Sequence, residues 1–397
     1  NMKFLLLFLL TYFQLTYGFL NALRSPVSRV THLEMAFDFF SPKGSSSKSS
    51  GPGNKPVCVI TGTSSGLGKE CAKALLKKGE YFVICAVRDT DKMKTIAEEE
   101  GFDPSSYSIM ELELGSFDSV RKFANKLKSV KKRPLERLVC NAAVYQPALP
   151  TPKFTQDDFE QQMQINHLSH FLLCSLLLPD MMKAKDARMI IVGSITGNSN
   201  TIGGGAVLPL ADLGNLEGLE KGGKKPISMI DGKNFNGAKA YKDSKVCNMM
   251  TINELHKRYH ESTGITFSSM YPGCIATTNL FREKRGWFRT IFPLFMKYVT
   301  GGFVSEQEAG ERLAATVDDP RTKKSGVYWS WNGGARQLPV KDFKTGQVLG
   351  TGGSGGDLFE NTYSDQVANP VLSKKMWDLS TKVTGAVWPK VGSKSFA

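Results

Sequence analysis

The sequence predicts one doubly wound α/β domain of Rossmann type, a parallel sheet with helices on both faces. Three observations lead there. From Pro56 onward, short β-branched runs alternate with amphipathic segments. The runs are apolar without interruption, as strands buried on both faces are. The first of them opens directly into a glycine-rich turn, "TGTSSGLGKECAKAL".

In chain order, "PVCVIT", "YFVICAV", "YSIMELEL", "LERLVCNAA", "RMIIVGS" and "ITFSSMYPG" read as buried strands. Between them "KECAKALLKK", "VRKFANKLKSV" and "DDFEQQMQINHLSHFLLCSLLLPDMMK" read as helices, and "GAKAYKDSKVCNMM" opens another. The domain is expected over 55–390. A Gly/Pro-rich insertion at about 197–237 interrupts the rhythm, as does "GQVLGTGGSGGD" at about 346–357, expected to be a flexible surface loop.

The start of the chain reads differently. "MKFLLLFLLTYFQLTYG" has one lysine, an apolar core and a small residue at Gly18, a signal-peptide pattern over residues 1–18. Residues 19–54 begin at Phe19 and continue basic, acid-poor and increasingly Ser-rich, with the character of a disordered transit peptide. The alternative is a lone secretory signal with a linker. A two-part leader of this kind resembles those of proteins sent to complex plastids through the ER. That address accommodates seven scattered cysteines, odd in number and without a C-x-x-C, which suggest neither a disulfide framework nor a metal site.

The formal charge is +14. Six Lys/Arg against two acids in the first 55 residues leave +10 on the body. Such a surface either favours anionic partners or serves solubility. No compact basic run interleaved with aromatics appears, so nucleic acid is not expected as a partner.

The turn after strand one carries Gly62, Gly66 and Gly68, with Ser64, Ser65 and Leu67 between them. Small residues there let backbone approach a pyrophosphate, and the following helix offers unpaired N–H groups. At the end of strand two, "AVRDTDK" places Arg88 where an NAD-selective site carries an acid, and Lys92 one turn on. An arginine there accommodates a 2′-phosphate, so NADPH is the expected cofactor, although Asp89 adjoins it. Glu113 after strand three is placed for the adenine side, and Asn141 with Ala142 after strand four for the ribose side. Pro272 and Gly273 follow strand six at the ligand-binding edge.

Tyr241 and Lys245 stand one helical turn apart. Eleven tyrosines make roughly one such pair a chance event, so the pair alone decides nothing. In this setting a lysine is expected to stabilise the phenolate and lower its pKa from ~10 toward neutrality. Ser194, ending strand five, is placed to orient Tyr241 or donate to a substrate oxygen. Asn166, in the long helix, is placed to hold a water linked to Lys245. His167 and His170 read as packed helix residues rather than ligands.

These four residues, with the glycine turn and "CNAA", resemble the short-chain dehydrogenase/reductase pattern, each on its expected element. Ser194 and Tyr241 lie 47 positions apart, further than is usual there. That insertion, with "CNAAVY", "NHLSHFLL", "VGSITGN", "YPGCIATTNLFRE", "GGFVSEQEAGERLA" and "SGVYWSW", resembles the light-dependent protochlorophyllide oxidoreductases. The likeness runs from Pro56 to "MWDLSTKVTG" and omits only the leader and the glycine tract near Thr351.

The resemblance implies reduction of the C17=C18 bond of protochlorophyllide by NADPH, on the photoexcited pigment. It implies Tyr241 with Lys245 as first proton donor and Cys274 as second, either in protonation or in positioning pigment. It places Tyr145 and Phe281 against the pigment. The segment 281–303, "FREKRGWFRTIFPLFMKYVTGGF", reads either as a helix pair packed on the core or as a lid that also touches plastid or thylakoid lipid. A homo-oligomer is compatible with this reading. The competing functions are a dark NADPH-dependent retinol- or steroid-type dehydrogenase and a pigment-binding membrane scaffold.

Overall fold

The computed structural model describes residues 51–130, 133–205, 207–275, 302–333, 346 and 352–390. Residues 1–50, which hold most of the expected leader, Phe281 and nearly all of the 281–303 segment lie outside the described residues. Eight strands form one sheet: β1 (Val57–Thr61), β2 (Phe82–Val87), β3 (Tyr107–Glu111), β4 (Leu135–Cys140), β5 (Arg188–Val192), β6 (Thr266–Met270), β7 (Val327–Trp331) and β8 (Leu358–Asn361). Their order is β3-β2-β1-β4-β5-β6-β7-β8. Every pairing is parallel except β7 with β8. The chain reverses direction across the sheet between β1 and β4, which opens a crevice at their carboxyl ends.

Strands β1, β2, β4, β5 and β6 are buried at every position, including the polar Glu136 and Arg137 of β4, Arg188 of β5 and the Thr and Ser residues of β6. "YSIMELEL" differs: β3 is an edge strand, and Tyr107, Ser108 and Ile109 are only half-buried because one flank has no neighbouring strand.

Helices α1 (Gly66–Lys78), α2 (Thr90–Glu99) and α3 (Phe117–Val130) connect the first strands. The long helix α4 runs through Gln161–Met163, a π-helical turn Gln164–Leu168, and Ser169–Met181. Its last stretch is buried nearly all round, because it lies between the sheet, α3 and the C-terminal helix. Helix α5 (Gly237–Leu255) carries Tyr241 and Lys245, α6 (Glu306–Asp318) lies against α1, and α7 (Pro370–Thr384) closes the fold. Trp377 of α7 and the following Trp388 stack at 4.2 Å, and each meets Phe171 of α4 at 5.0 Å. No helix among the described residues is long and apolar enough to cross a membrane.

The insertion is folded against α5. Leu213, Leu216, Leu219 and Ile230 are buried with Met249 and Met250. Lys239 Nζ donates to Asp231 (2.9 Å) and Asp243 (2.6 Å), and Asp243 accepts from the Asp212 N–H (2.9 Å). In the glycine tract, residues 352–355 lie against α6. The Arg312 guanidinium donates to the carbonyls of Gly352, Gly353 and Gly355, and Gly352 and Gly353 are buried.

His167 and His170 are fully buried, and burial lowers them to about 3 and about 4 from 6.5. Between those values the unfolded chain binds protons that the fold refuses, so both contribute stability above pH 6.5 that is lost as pH falls toward 4. Buried Glu160 and Asp243, raised to about 7, act in the opposite sense above pH 4. A single variant isolates the histidine effect. Relative to His167→Gln, the parent is expected to lose melting temperature steadily from pH 6.5 to 4; a constant difference between the two would refute this.

Candidate active site

The crevice holds a cavity of about 520 Å³ that begins at the glycine turn and ends at Tyr241 and Cys274. That volume suits a sizeable organic ligand. At the turn, Gly62 and Gly66 have φ of 76° and 55°. A Cβ on Gly68 would stand 2.3 Å from Gly62 O and 2.4 Å from Asn141 Nδ2. Ser65, the N-cap of α1, makes no side-chain cap, so the helix start presents uncapped N–H groups. Ser64, Leu67, Ala142, Pro272 and Gly273 line the same cavity. A cradle that no Cβ could enter, at an uncapped helix start, fits a dinucleotide pyrophosphate.

Arg88 and Lys92 lie at the far end. The Arg88 side chain is three-quarters exposed, with Nε 3.7 Å from Glu113 Oε2. Asp89 has another occupation: it caps α2 by accepting the Lys92 N–H (2.9 Å). Glu113 accepts the Gly115 N–H at 2.6 Å, which fixes its own turn.

Thr61, which the sequence reading passed over, ties the two sides of the crevice. Its Oγ1 accepts the N–H groups of Asn141 (2.9 Å) and Ala142 (3.0 Å). Its hydroxyl proton is therefore left for His170 Nε2, 2.9 Å away, and His170 Nδ1–H donates to Asn166 O at 3.1 Å. Asn141 turns its amide nitrogen to Thr61 O (2.9 Å) and Gly62 O (3.3 Å), bracing the glycine turn.

Asn166 sits in the π-helical turn of α4, a device frequent at functional sites. Its Oδ1 accepts the Val144 N–H (2.8 Å), and Nδ2 donates to Val144 O (3.0 Å) and Ser244 Oγ (3.1 Å). Both amide protons are thus engaged. These bonds join the loop before Tyr145 to α5.

On α5, Asn236 caps the helix through the Lys239 N–H (3.0 Å). Tyr241 is buried, with its ring 4.7 Å from that of Tyr145. Lys245 Nζ donates to Val192 O at 2.9 Å and stands 5.7 Å from the centre of the Tyr241 ring. Burial lowers the lysine to about 8. Burial also raises the phenol well above its ordinary value, Tyr145 adds to the rise, and a hydrogen bond with Ser194 opposes it. The expected fall in the phenol pKa is therefore not what the structure gives. Burial is the largest cause of the rise, and the hydrogen bond with Ser194 offsets it only in part.

Ser194 also accepts the Thr196 N–H (3.2 Å), capping the turn Ile195–Gly197. Cys274, half-buried, follows the tight Gly273 turn, whose φ is 107°. Burial pushes its thiol up to about 12. The other six cysteines are free and buried. The structure thus brings Asn141, Tyr145, Ser194, Tyr241, Lys245 and Cys274 to one cavity, together with Thr196, Lys242 and Tyr271, which the motifs did not single out. Lys242 lies beside Tyr241 in sequence, and Tyr271 stood inside the quoted "YPG"; position next to a motif was the available signal.

The sequence signature described as short chain dehydrogenase matches residues 56–206. Protochlorophyllide reductase, chloroplastic, from Marchantia paleacea is 52% identical over 337 residues, 84% of this chain and 69% of that protein. Protochlorophyllide reductase A, chloroplastic, from Triticum aestivum is 51% identical over 83% of this chain and 80% of its own. The Chlamydomonas reinhardtii protochlorophyllide reductase, chloroplastic, is 50% identical over 83% and 78%. Among solved structures, the Pseudomonas aeruginosa RhlG/NADP active-site complex superposes with a TM-score of 0.51 at 20% identity, covering 69% of this chain and 93% of that one. Its likeness is one of fold.

Proposed function

This chain belongs to the protochlorophyllide reductases of the short-chain dehydrogenase family, and from that footing we propose that it reduces the C17=C18 bond of protochlorophyllide to chlorophyllide with NADPH, under light. It is an oxidoreductase of plastid chlorophyll biosynthesis. One observation carries the mechanism: a buried phenol, with a lysine and a second tyrosine beside it, closes a cavity that starts at a dinucleotide cradle.

NADPH supplies hydride to C17 when bound. The chain's residues do the rest. The glycine turn and the start of α1 receive the pyrophosphate, with Ser64, Ser65 and Leu67 along it. Arg88 and Lys92 offer cations to the 2′-phosphate, and Asp89, engaged as a helix cap, does not oppose them. Glu113, Asn141 and Ala142 flank the adenosine half, and Pro272 and Gly273 the nicotinamide end. Tyr241 supplies the proton to C18. Its raised pKa keeps it protonated throughout the physiological range, so it acts as acid, with Lys245 offsetting the charge left behind. Cys274 is also protonated at neutral pH, raised by burial, whereas the Lys245 ammonium stands 5.7 Å from the centre of the Tyr241 ring. That favours Tyr241 as donor and Cys274 as a wall of the pigment site with Tyr145 and Phe281. A conjugated macrocycle resists hydride addition in its ground state, which supports the need for a photon, and a dry, positioned site supplies the remainder.

The reading extends to a lid at 281–303, peripheral contact with plastid lipids, self-association, and delivery through the ER to a complex plastid. Its support is the basic body, the aromatic-basic segment and the two-part leader. The test is a flash assay. Protein, NADPH and protochlorophyllide held dark should show no change, and illumination should bring the red shift of chlorophyllide. Conversion in darkness would overturn the light requirement. Reduction of a retinal or ketone without pigment conversion would favour the dark dehydrogenase.

A further inference from the structure

We propose that Arg312 is a positioning residue for the pigment site, clamping the Pro272-Gly273-Cys274 turn against the glycine tract at 352–355. Arg312 lies on α6, outside the motifs that carry the chemistry, and is 5% exposed. Its Nη1 donates to Pro272 O and Gly352 O, both at 2.9 Å. Its Nη2 donates to Gly353 O (2.6 Å), Gly355 O (2.9 Å) and Glu308 Oε1 (2.7 Å). The guanidinium also lies 5.3 Å from the centre of the Trp331 ring. A planar fork with fixed donors holds four carbonyls on two chain segments, which an ammonium cannot reproduce.

What the clamp holds is closely packed. A Cβ on Gly273 would stand 2.4 Å from Gly352 O, 2.4 Å from Val304 Cγ2 and 2.9 Å from Arg312 Nη1. A Cβ on Gly352 would stand 2.8 Å from the Tyr271 ring. Glu308 completes the joint by accepting from Ser354 Oγ (2.5 Å) and the Gly355 N–H (2.7 Å). Tyr271 and Cys274 line the cavity on the front of this assembly, and Arg312 fixes it from behind. The glycine tract falls outside the stretches that carry the family resemblance, yet it forms the backing of the cavity wall.

The consequence for catalysis rests on the reading of the site given above; the clamp itself does not. Cys274 is the one described cysteine that is not buried, so its alkylation by a maleimide at pH 7 reports directly on the turn. In Arg312→Lys, labelling of Cys274 is expected to quicken about tenfold through local opening. Photoconversion per absorbed photon is expected to fall about a hundredfold and NADPH affinity by much less, because the turn at the nicotinamide end is displaced while the glycine cradle of the pyrophosphate is untouched. Glu308→Gln should move both readouts in the same direction by less. In Arg312→Ala, added guanidinium should restore part of the conversion. Should Arg312→Lys prove too unstable to assay, Glu308→Gln carries the same test. Unchanged labelling in a folded variant overturns the clamp. Faster labelling with full conversion overturns its role in positioning. If the parent protein converts no pigment, the functional reading fails while the labelling result still decides the clamp.

Discussion

Tyr241→Phe is expected to lower photoconversion by about 10²–10⁴-fold while NADPH and pigment still bind, the range that loss of one positioned general acid produces. The phenol is buried and raised in pKa, so at neutral pH the variant loses one donated proton and little else. The ring that packs at 4.7 Å on Tyr145 is kept in the variant, and only the hydroxyl with its bond to Ser194 is removed. The ternary complex should therefore form and show its pigment absorption, then fail to convert on illumination. Cys274→Ser is the companion. If Tyr241→Phe retains near-parental conversion and Cys274→Ser does not, the thiol is the donor. A pigment-binding scaffold would show no loss in either.

Gly68→Val should abolish NADPH binding more thoroughly than any change at Arg88 or Lys92. The obstruction is backbone: the first added carbon would already lie 2.3 Å from Gly62 O, and no rotation relieves it. The turn must move, and with it the N–H groups that receive the pyrophosphate. A dissociation constant raised at least tenfold, about 1.4 kcal/mol, is the minimum expected. Melting temperature should also fall, so a control is needed. Gly79 closes the same helix with φ of 73° and nothing within 4 Å of an added Cβ. Gly79→Ala should cost stability of about 1 kcal/mol from backbone strain and leave NADPH affinity intact. Equal losses of affinity in the two variants would show that the glycine turn is not the cofactor cradle.

Much of this was legible in the chain itself, for a physical reason. Strands buried on both faces are mostly apolar. While β4 carries Glu136 and Arg137 and β6 is rich in Thr and Ser, β1, β2 and the MIIV of β5 stand out against charged surroundings. Helix α2 does not. Only Met93 and Ala97 of its ten residues are buried, too few to mark a face. Strand β8 and helix α7 are equally hard to see, because an antiparallel edge strand and a late helix depend on partners far back in sequence. The site divides along the same line. Tyr241 and Lys245 share one helical turn, and local spacing carries them. Arg312 lies 40 positions from the carbonyls of Pro272 and Gly352, and no local pattern announces such a pairing. The rise in the phenol pKa is hidden from local pattern for a related reason. Spacing gives the charge nearby, whereas solvent exclusion comes from the whole fold.

The Thr61–His170–Asn166 chain has an evolutionary implication. It is wholly interior, held by neutral groups, and fixes the glycine turn to the helix that carries Tyr241. The separation between the glycine turn and Tyr241 is thereby set by the buried scaffold and not by the loops around it. Descendants could exchange insertion, glycine tract or leader for new ones, acquiring other substrates or addresses, without having to retune the geometry of the bond-making step.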